Sequence, residues 1–277
     1  MPVAKVAQGG EIHYEVLGAG APVLLVAGIG GSSGYWKPQV QDFSNRFQLV
    51  LHDHRGTGQS SKDRLRYSVE LMTDDMIGVM DALGLESAHI VGHSTGAAMA
   101  QEMAMRHPDR IRSAVMYAGW ARRDGYFQRC FDVRKQVLLD SGPLAYVRTT
   151  PLFLMPPWYV SQNIRRLESE EPAAAAGFPP TDIMVSRIDA ICAYGPGEAL
   201  GAIRCPALVT CARDDQLTPA FYSEELARLM PHASLHLFET GGHAVSQTLP
   251  EAFNERVIAF VEEAEALYQS TAKARKA

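Results

Sequence analysis

Ile90-Val91-Gly92-His93-Ser94-Thr95-Gly96 places a serine between two glycines at a sharp change of sequence character. Ahead of it, Ala88-His89-Ile90-Val91 is short, apolar and β-branched, as a buried strand requires. Behind it, Thr95 to Arg106 is rich in helix formers and is stopped by Pro108. Strand, tight turn and helix around G-x-S-x-G is the setting of a nucleophile elbow. Gly92 and Gly96 leave room for the turn, and Ser94 is expected in a strained backbone with its hydroxyl presented above the sheet. A glycine-rich turn carrying a surface serine is the plain alternative, and the flanking strand and helix argue against it. A serine hydroxyl is a weak nucleophile on its own, so a base and a carboxylate must be sought elsewhere.

Upstream, Glu11-Ile12-His13-Tyr14-Glu15-Val16 alternates like a half-exposed strand, and Pro22 to Ala27 is a continuous apolar run suited to a parallel strand covered on both faces. That run ends in the cluster Gly28-Ile29-Gly30-Gly31-Ser32-Ser33-Gly34. A helix is expected over Tyr35 to Phe43, then a strand over Phe47 to Leu51. Ser68 can cap a helix whose apolar positions Val69, Met72, Met76, Val79, Met80 and Leu83 recur at helical spacing, with Gly84 as its stop. Downstream, Ile111 to Ala118 reads as a strand. From Trp120 to Arg204 the alternation breaks into irregular, proline-punctuated helical sequence. It resumes with a strand at Pro206 to Cys211, a helix at Phe221 to Met230, a strand at Ser234 to Phe238 and a helix from Pro250 to about Tyr268, leaving Ala272 to Ala277 as a frayed tail. The expected architecture is α/β: a mostly parallel central sheet flanked by helices. Residues 1–119 and 205–277 form the core domain, and residues 120–204 an inserted helical cap.

With 277 residues and a net charge of −5, the chain has enough apolar sequence for a sizeable core and no basic surplus for general nucleic-acid binding. Cys130, Cys192, Cys205 and Cys211 lack metal-type spacing and read as reduced, buried thiols. The start, Met1-Pro2-Val3-Ala4-Lys5, has no apolar core of a signal peptide, and no run is long enough for a membrane span. A cytoplasmic protein acting on a small molecule, with no membrane or nucleic-acid partner, is expected; a homodimer is left open.

With the elbow and the strand–helix order in place, nearly the whole chain resembles the α/β-hydrolase superfamily, in which serine, acid and histidine follow in that order. Members with a segment like Arg213-Asp214-Asp215-Gln216-Leu217-Thr218-Pro219 use the second aspartate, so the resemblance assigns Asp215 and holds Asp214 in reserve. His243, in Thr240-Gly241-Gly242-His243-Ala244, is the one histidine of nine on a glycine turn just after the last strand. His243 is then the base for Ser94, and Asp215 orients its imidazole. The backbone N–H groups of Thr95 and Ile29 are the expected oxyanion donors. The family often has His-Gly before the second donor, where this chain has Ala27-Gly28. This chemistry calls for no cofactor and no metal.

Within the superfamily, Gly28 to Gln39, Arg129 to Arg134, Pro151 to Trp158 and Arg166-Leu167-Glu168 look like the pyrimidine-utilisation hydrolase D family. That resemblance implies hydrolysis of aminoacrylate or of a carbamate from uracil breakdown. Some members lack the elbow serine, whereas Ser94 is present here. The reading is a serine-triad hydrolase of a small carboxylate-bearing amide or carbamate. A carboxylesterase, lactonase or carbon–carbon bond hydrolase of a ring-cleavage product is the first alternative, and a non-catalytic ligand receptor the second. Most cap arginines read as a solvated face, and Arg122 and Arg123 are the first choices for a substrate carboxylate because they enter the cap directly after a core strand. Trp158 is the aromatic candidate for the pocket wall.

Overall fold

Pro22–Val26 is buried from end to end, and its neighbours show why. In the computed structural model, which describes residues 2–276 with side chains to residue 271, Val23 and Leu25 join one hydrophobic layer while Leu24 and Val26 join the other. The same alternation places Leu49 and Leu51 opposite Val50, and Val91 opposite Ile90. A period of two with both faces apolar is the pattern of a sheet sandwiched between helices.

Among the described residues, the strands are β1 (Val3–Lys5), β2 (Glu11–Leu17), β3 (Pro22–Val26), β4 (Gln48–His52), β5 (Ala88–His93), β6 (Ile111–Tyr117), β7 (Ala207–Ala212) and β8 (Ala233–Phe238). They form one sheet in the order β1-β2-β4-β3-β5-β6-β7-β8. The pairings of β1 with β2 and of β2 with β4 are antiparallel, and the rest are parallel. The central strands β3, β5 and β6 therefore deliver their carboxyl ends to one edge, where ligands bind in open α/β sheets.

The helices are α1 (Val40–Ser44), α2 (Val69–Ala82), α3 (Thr95–Arg106), α4 (Gly125–Leu154), α5 (Pro157–Ala176), α6 (Thr181–Ala193), α7 (Ala220–Leu229), α8 (Val245–Thr248) and α9 (Pro250–Lys276). As expected, Ser68 caps α2: its hydroxyl accepts from Leu71 N–H at 3.1 Å. The helix expected over Tyr35 to Phe43 is instead a short 3-10 turn, Ser33–Trp36, followed by α1. Pro38 separates the two, since its ring excludes the intervening hydrogen bond. The fraying expected over Ala272 to Ala277 falls on residues whose side chains, and for Ala277 the backbone too, lie outside the described residues. Cys192 and Cys211 are buried as expected, whereas Cys130 and Cys205 are half-buried. Burial pushes the thiols up, Cys192 and Cys205 to about 11. Among the described residues no helix is long and apolar enough to cross a membrane.

Between β6 and β7 the chain departs from the sheet as α4, α5 and α6. Asp124 caps α4 by accepting from Tyr126 N–H and Phe127 N–H, each at 2.9 Å. Inside α4, Gly142 adopts φ 78°, ψ −176°, and Pro143 opens the second helical segment. Across this break the Arg134 guanidinium donates to the Tyr146 hydroxyl at 2.8 Å. Twelve residues of unbroken helix would hold their Cα atoms about 18 Å apart, so the turn at Gly142 brings the two segments together.

Behind the loop after β4, His52 and His54 stack at 5.0 Å between ring centroids, both buried. Burial lowers His52 to about 4 and His54 well below the usual imidazole range. Both fold neutral, and the unfolded chain takes up their protons first. Stability is therefore whole above pH 6.5 and falls as the pH drops toward 4, by about 1.4 kcal/mol per pH unit for each such histidine. From pH 7 to 4.5, His52 alone removes about 2 kcal/mol. Urea melts of wild type and His52→Gln across that range test this: the variant should show the shallower dependence, and parallel curves would place the acid sensitivity elsewhere.

Candidate active site

β5 ends at His93 and α3 begins at Thr95, leaving Ser94 alone at the corner with φ 54° and ψ −111°. Positive φ in a non-glycine residue is strained, and here the surroundings hold it. Ser94 N–H donates to the Tyr117 carbonyl at 2.8 Å, and its own carbonyl accepts from Ala97 and Ala98 at 2.9 and 3.1 Å. A Cβ on Gly92 would lie 2.1 Å from the Gly96 carbonyl oxygen, and one on Gly96 would lie 2.1 Å from that of Val26. The two glycines thus let α3 start against β3 with only the serine hydroxyl left at the turn. Thr95, as the first residue of α3, has an N–H without an acceptor inside the helix. Gly28 to Ser32, the loop containing Ile29, lines a cavity of about 550 Å³ together with Ser94.

His243 lines the same cavity, from a loop after β8. Its side chain is almost wholly buried, and its Nδ1 lies 2.9 Å from Asp215 Oδ2. An ionised carboxylate only accepts, so Nδ1 carries the proton and Nε2 keeps the lone pair that a base needs. Asp215, in the turn after β7, is held by Leu217 N–H and Thr218 N–H, which donate to Oδ1 at 2.8 and 2.9 Å. The neighbouring Asp214 does something else. It accepts from Thr240 Oγ1 at 2.5 Å and from Gly242 N–H at 2.8 Å, fixing the loop that carries His243.

Thr218 and Tyr117 carry no motif and escaped the sequence reading, whereas His93, next to the nucleophile, was expected to pack under the elbow. Thr218 Oγ1 lies 2.9 Å from Asp215 Oδ2, 3.1 Å from His243 Nδ1 and 3.1 Å from the Ala118 carbonyl. With one proton to give, it donates to one of the two oxygens and accepts from the imidazole. The Tyr117 hydroxyl donates to the His243 carbonyl at 2.8 Å and accepts from Ser246 N–H at 3.1 Å. His93 Nε2 donates to the same carbonyl at 3.0 Å, while its ring stacks on Tyr35 at 4.7 Å. Burial and the nearby His243 hold His93 well below the usual imidazole range, so it packs under the elbow as a neutral brace. The one signal in the sequence was Thr218, three residues after Asp215 in an aspartate turn.

The three expected substrate contacts lie elsewhere. Arg122 is held by ion pairs to Glu198 and Glu225, and Arg123 donates to the Cys192 carbonyl; neither lines the cavity. Both turn toward acceptors brought by distant chain, which spacing alone does not reveal. Trp158 is also outside the cavity wall, donating through Nε1 to Thr240 Oγ1 at 3.1 Å with its ring partly in solvent. Among the described residues, the arginine that does line the cavity is Arg134. Among the described residues no three His, Cys, Asp or Glu side chains converge as a metal site needs.

Comparison with known proteins agrees with this fold. Residues 21–247 match the family model described as the alpha/beta hydrolase fold. The chain is 45% identical over 256 residues to the "Putative carbamate hydrolase RutD" of Azorhizobium caulinodans, covering 92% of this chain and 97% of that one. It is 42% identical to the protein of the same name from Caulobacter vibrioides, covering 91% and 95%. In fold it is similar to the enol-lactonase of Burkholderia xenovorans, with TM-score 0.85, 24% identity, and 94% and 100% of the two chains covered. The chain is a hydrolase that belongs to the α/β-hydrolase fold family and, within it, to the RutD family.

Proposed function

We propose that the protein is a serine-triad hydrolase acting by acyl transfer on a small carbamate or amide that bears a carboxylate, of the kind formed when nitrogen heterocycles are opened. The observation that carries the reading is the His243–Asp215 bond at 2.9 Å in the cavity where Ser94 sits on its strained corner. The carbamate class rests on the names of the relatives at 42–45% identity.

The chemistry follows from the atoms. His243 Nε2 takes the Ser94 proton as Oγ attacks the scissile carbonyl carbon. The oxyanion so formed is received by the N–H groups of Thr95 and Ile29. Asp215 stabilises the imidazolium, which then protonates the departing amine as the carbon–nitrogen bond breaks. Water, deprotonated by the same Nε2, attacks the acyl-serine, and the proton returns to Ser94 Oγ as the acid is released. Residues 120–204 serve as the cap that encloses these steps. Val147, Leu154, Leu167 and Met184 make much of the wall apolar, which favours esters as the second substrate class to be tried.

The test is burst kinetics with 4-nitrophenyl acetate, read together with intact mass. Wild type should release nitrophenol in a burst matching one acyl adduct per chain, and Ser94→Ala should show neither. A folded Ser94→Ala that keeps the burst, or a wild type that turns over without any adduct, would overturn the covalent mechanism.

A further inference from the structure

α4 carries one arginine whose surroundings do not account for its charge. Arg134 is 3% exposed, yet it lines the cavity that contains Ser94 and His243. Two other arginines of the inserted helices are ion-paired, Arg148 with Glu171 and Arg166 with Glu170. Those pairs also occupy the two glutamates of the cavity wall. The fully buried Arg187 is satisfied differently, by the carbonyls of Ile29 and Arg55 and by His54 Nδ1. Arg134 has neither solution. Among the described residues its hydrogen-bond partner is the Tyr146 hydroxyl, and its buried Nε has none. The faces of Tyr146, Phe153 and Phe131 surround the guanidinium carbon at 4.9, 5.5 and 5.8 Å.

Aromatic faces stabilise a cation, but they accept no directed N–H bonds in the guanidinium plane. A guanidinium has five N–H donors, and burying them unpaired is costly. A planar anion that takes two parallel bonds removes that cost, and a carboxylate has the matching geometry. With the Tyr146 hydroxyl as partner and Nε without one, the guanidinium keeps donors for such an anion.

We propose that Arg134 binds the substrate's carboxylate, with Tyr146 fixing the guanidinium, so that the substrate is held by its acid end against α4 while its scissile carbonyl rests at Ser94. This rests on the serine-triad reading for what happens at the other end. It makes Arg134 a specificity-determining residue, and it selects substrates in which an apolar body joins the acid to the acyl group, because Leu154, Met184 and Leu217 line the space they share.

The experiment uses 4-nitrophenyl hemiesters of adipic, pimelic and suberic acids beside the same esters capped as terminal carboxamides. Wild type should prefer the acid over the carboxamide by about 30-fold in kcat/KM at its best chain length, the worth of a charge-assisted pair. Arg134→Gln should bring that ratio close to one, and Arg134→Lys should retain part of it. A loss of packing alone would lower both esters together and leave the ratio standing. A wild-type ratio near one, or a ratio unchanged in a folded Arg134→Gln, would overturn the proposal.

Binding to Ser94→Ala by calorimetry separates this from the chemistry. Adipate should bind at least tenfold more tightly than adipamide even if no ester acylates Ser94. Equal affinity would sink the carboxylate site, whereas tight adipate binding without any acyl-enzyme would sink the triad reading alone. Should Arg134→Gln not fold, the acid–amide comparison in wild type and in Ser94→Ala still decides.

Discussion

Replacing Asp215 with Asn should lower kcat about 10⁴-fold while leaving the fold intact. The side chains are nearly isosteric, so the N–H groups of Leu217 and Thr218 keep an acceptor in Oδ1. What changes is the partner of His243 Nδ1. An amide nitrogen turned toward the ring donates where the carboxylate accepted, driving the proton to Nε2 and removing the lone pair that should face Ser94. The imidazolium also loses its counter-charge. Steady-state kinetics on one activated ester measure the drop, with circular dichroism to verify the fold. Asp214→Asn is the matched comparison: its carboxylate anchors Thr240 and Gly242, so it should loosen the loop and cost far less in kcat. If the two variants were equally impaired, the division of labour between the aspartates would be wrong.

Gly96→Ala should prevent folding or remove more than about 4 kcal/mol of stability. The added methyl would meet three backbone atoms: the Val26 oxygen at 2.1 Å, the Val26 carbon at 2.7 Å and the Ala27 oxygen at 2.8 Å. No rotamer change relieves a clash with backbone in the central strand, and overpacking of this kind moves the helix or the sheet. Gly125→Ala supplies the contrast. That glycine opens α4, has ordinary negative φ, and has nothing within 4 Å of a built Cβ. It should be neutral or gain up to about 1 kcal/mol. Thermal melts of both variants test the pair, and a Gly96→Ala protein melting within a few degrees of wild type would contradict the close approach of α3 to β3.

The core was legible because its signals are local. Apolar runs bounded by turn residues marked β3, β5, β6 and β7 to within a residue or two, and Gly92 and Gly96 announced the tight corner. The helix expected over Tyr35 to Phe43 divides into a 3-10 turn and α1 because Pro38 has no N–H to carry a helix through. His243 was recognisable from its glycine turn, whereas adjacent aspartates differ by a rotation of the backbone that no spacing displays. It took the resemblance to favour Asp215, and the bond to His243 Nδ1 agrees with that choice. The inserted helices were hardest. Arg122 was attractive for its position in the chain, but its acidic partners lie 76 and 103 residues away. Arg134 reaches the cavity wall from a helix folded back at Gly142, a geometry in which linear periodicity loses its meaning.

Arg187 joins the inserted helices to the floor of the site. Its guanidinium rides on α6 yet is bonded to two carbonyls of the core, one of them Ile29 itself. Lifting α6 would tear charged donors from their acceptors in a medium too poor in water to replace them. α4 and α5 are tied to the core as well, the Leu154 carbonyl accepting from Ala244 N–H at 2.9 Å and Trp158 Nε1 donating to Thr240 Oγ1 at 3.1 Å. The inserted helices thus set the floor of the site as well as cover it, since the loop bearing Ile29 is held from above through Arg187.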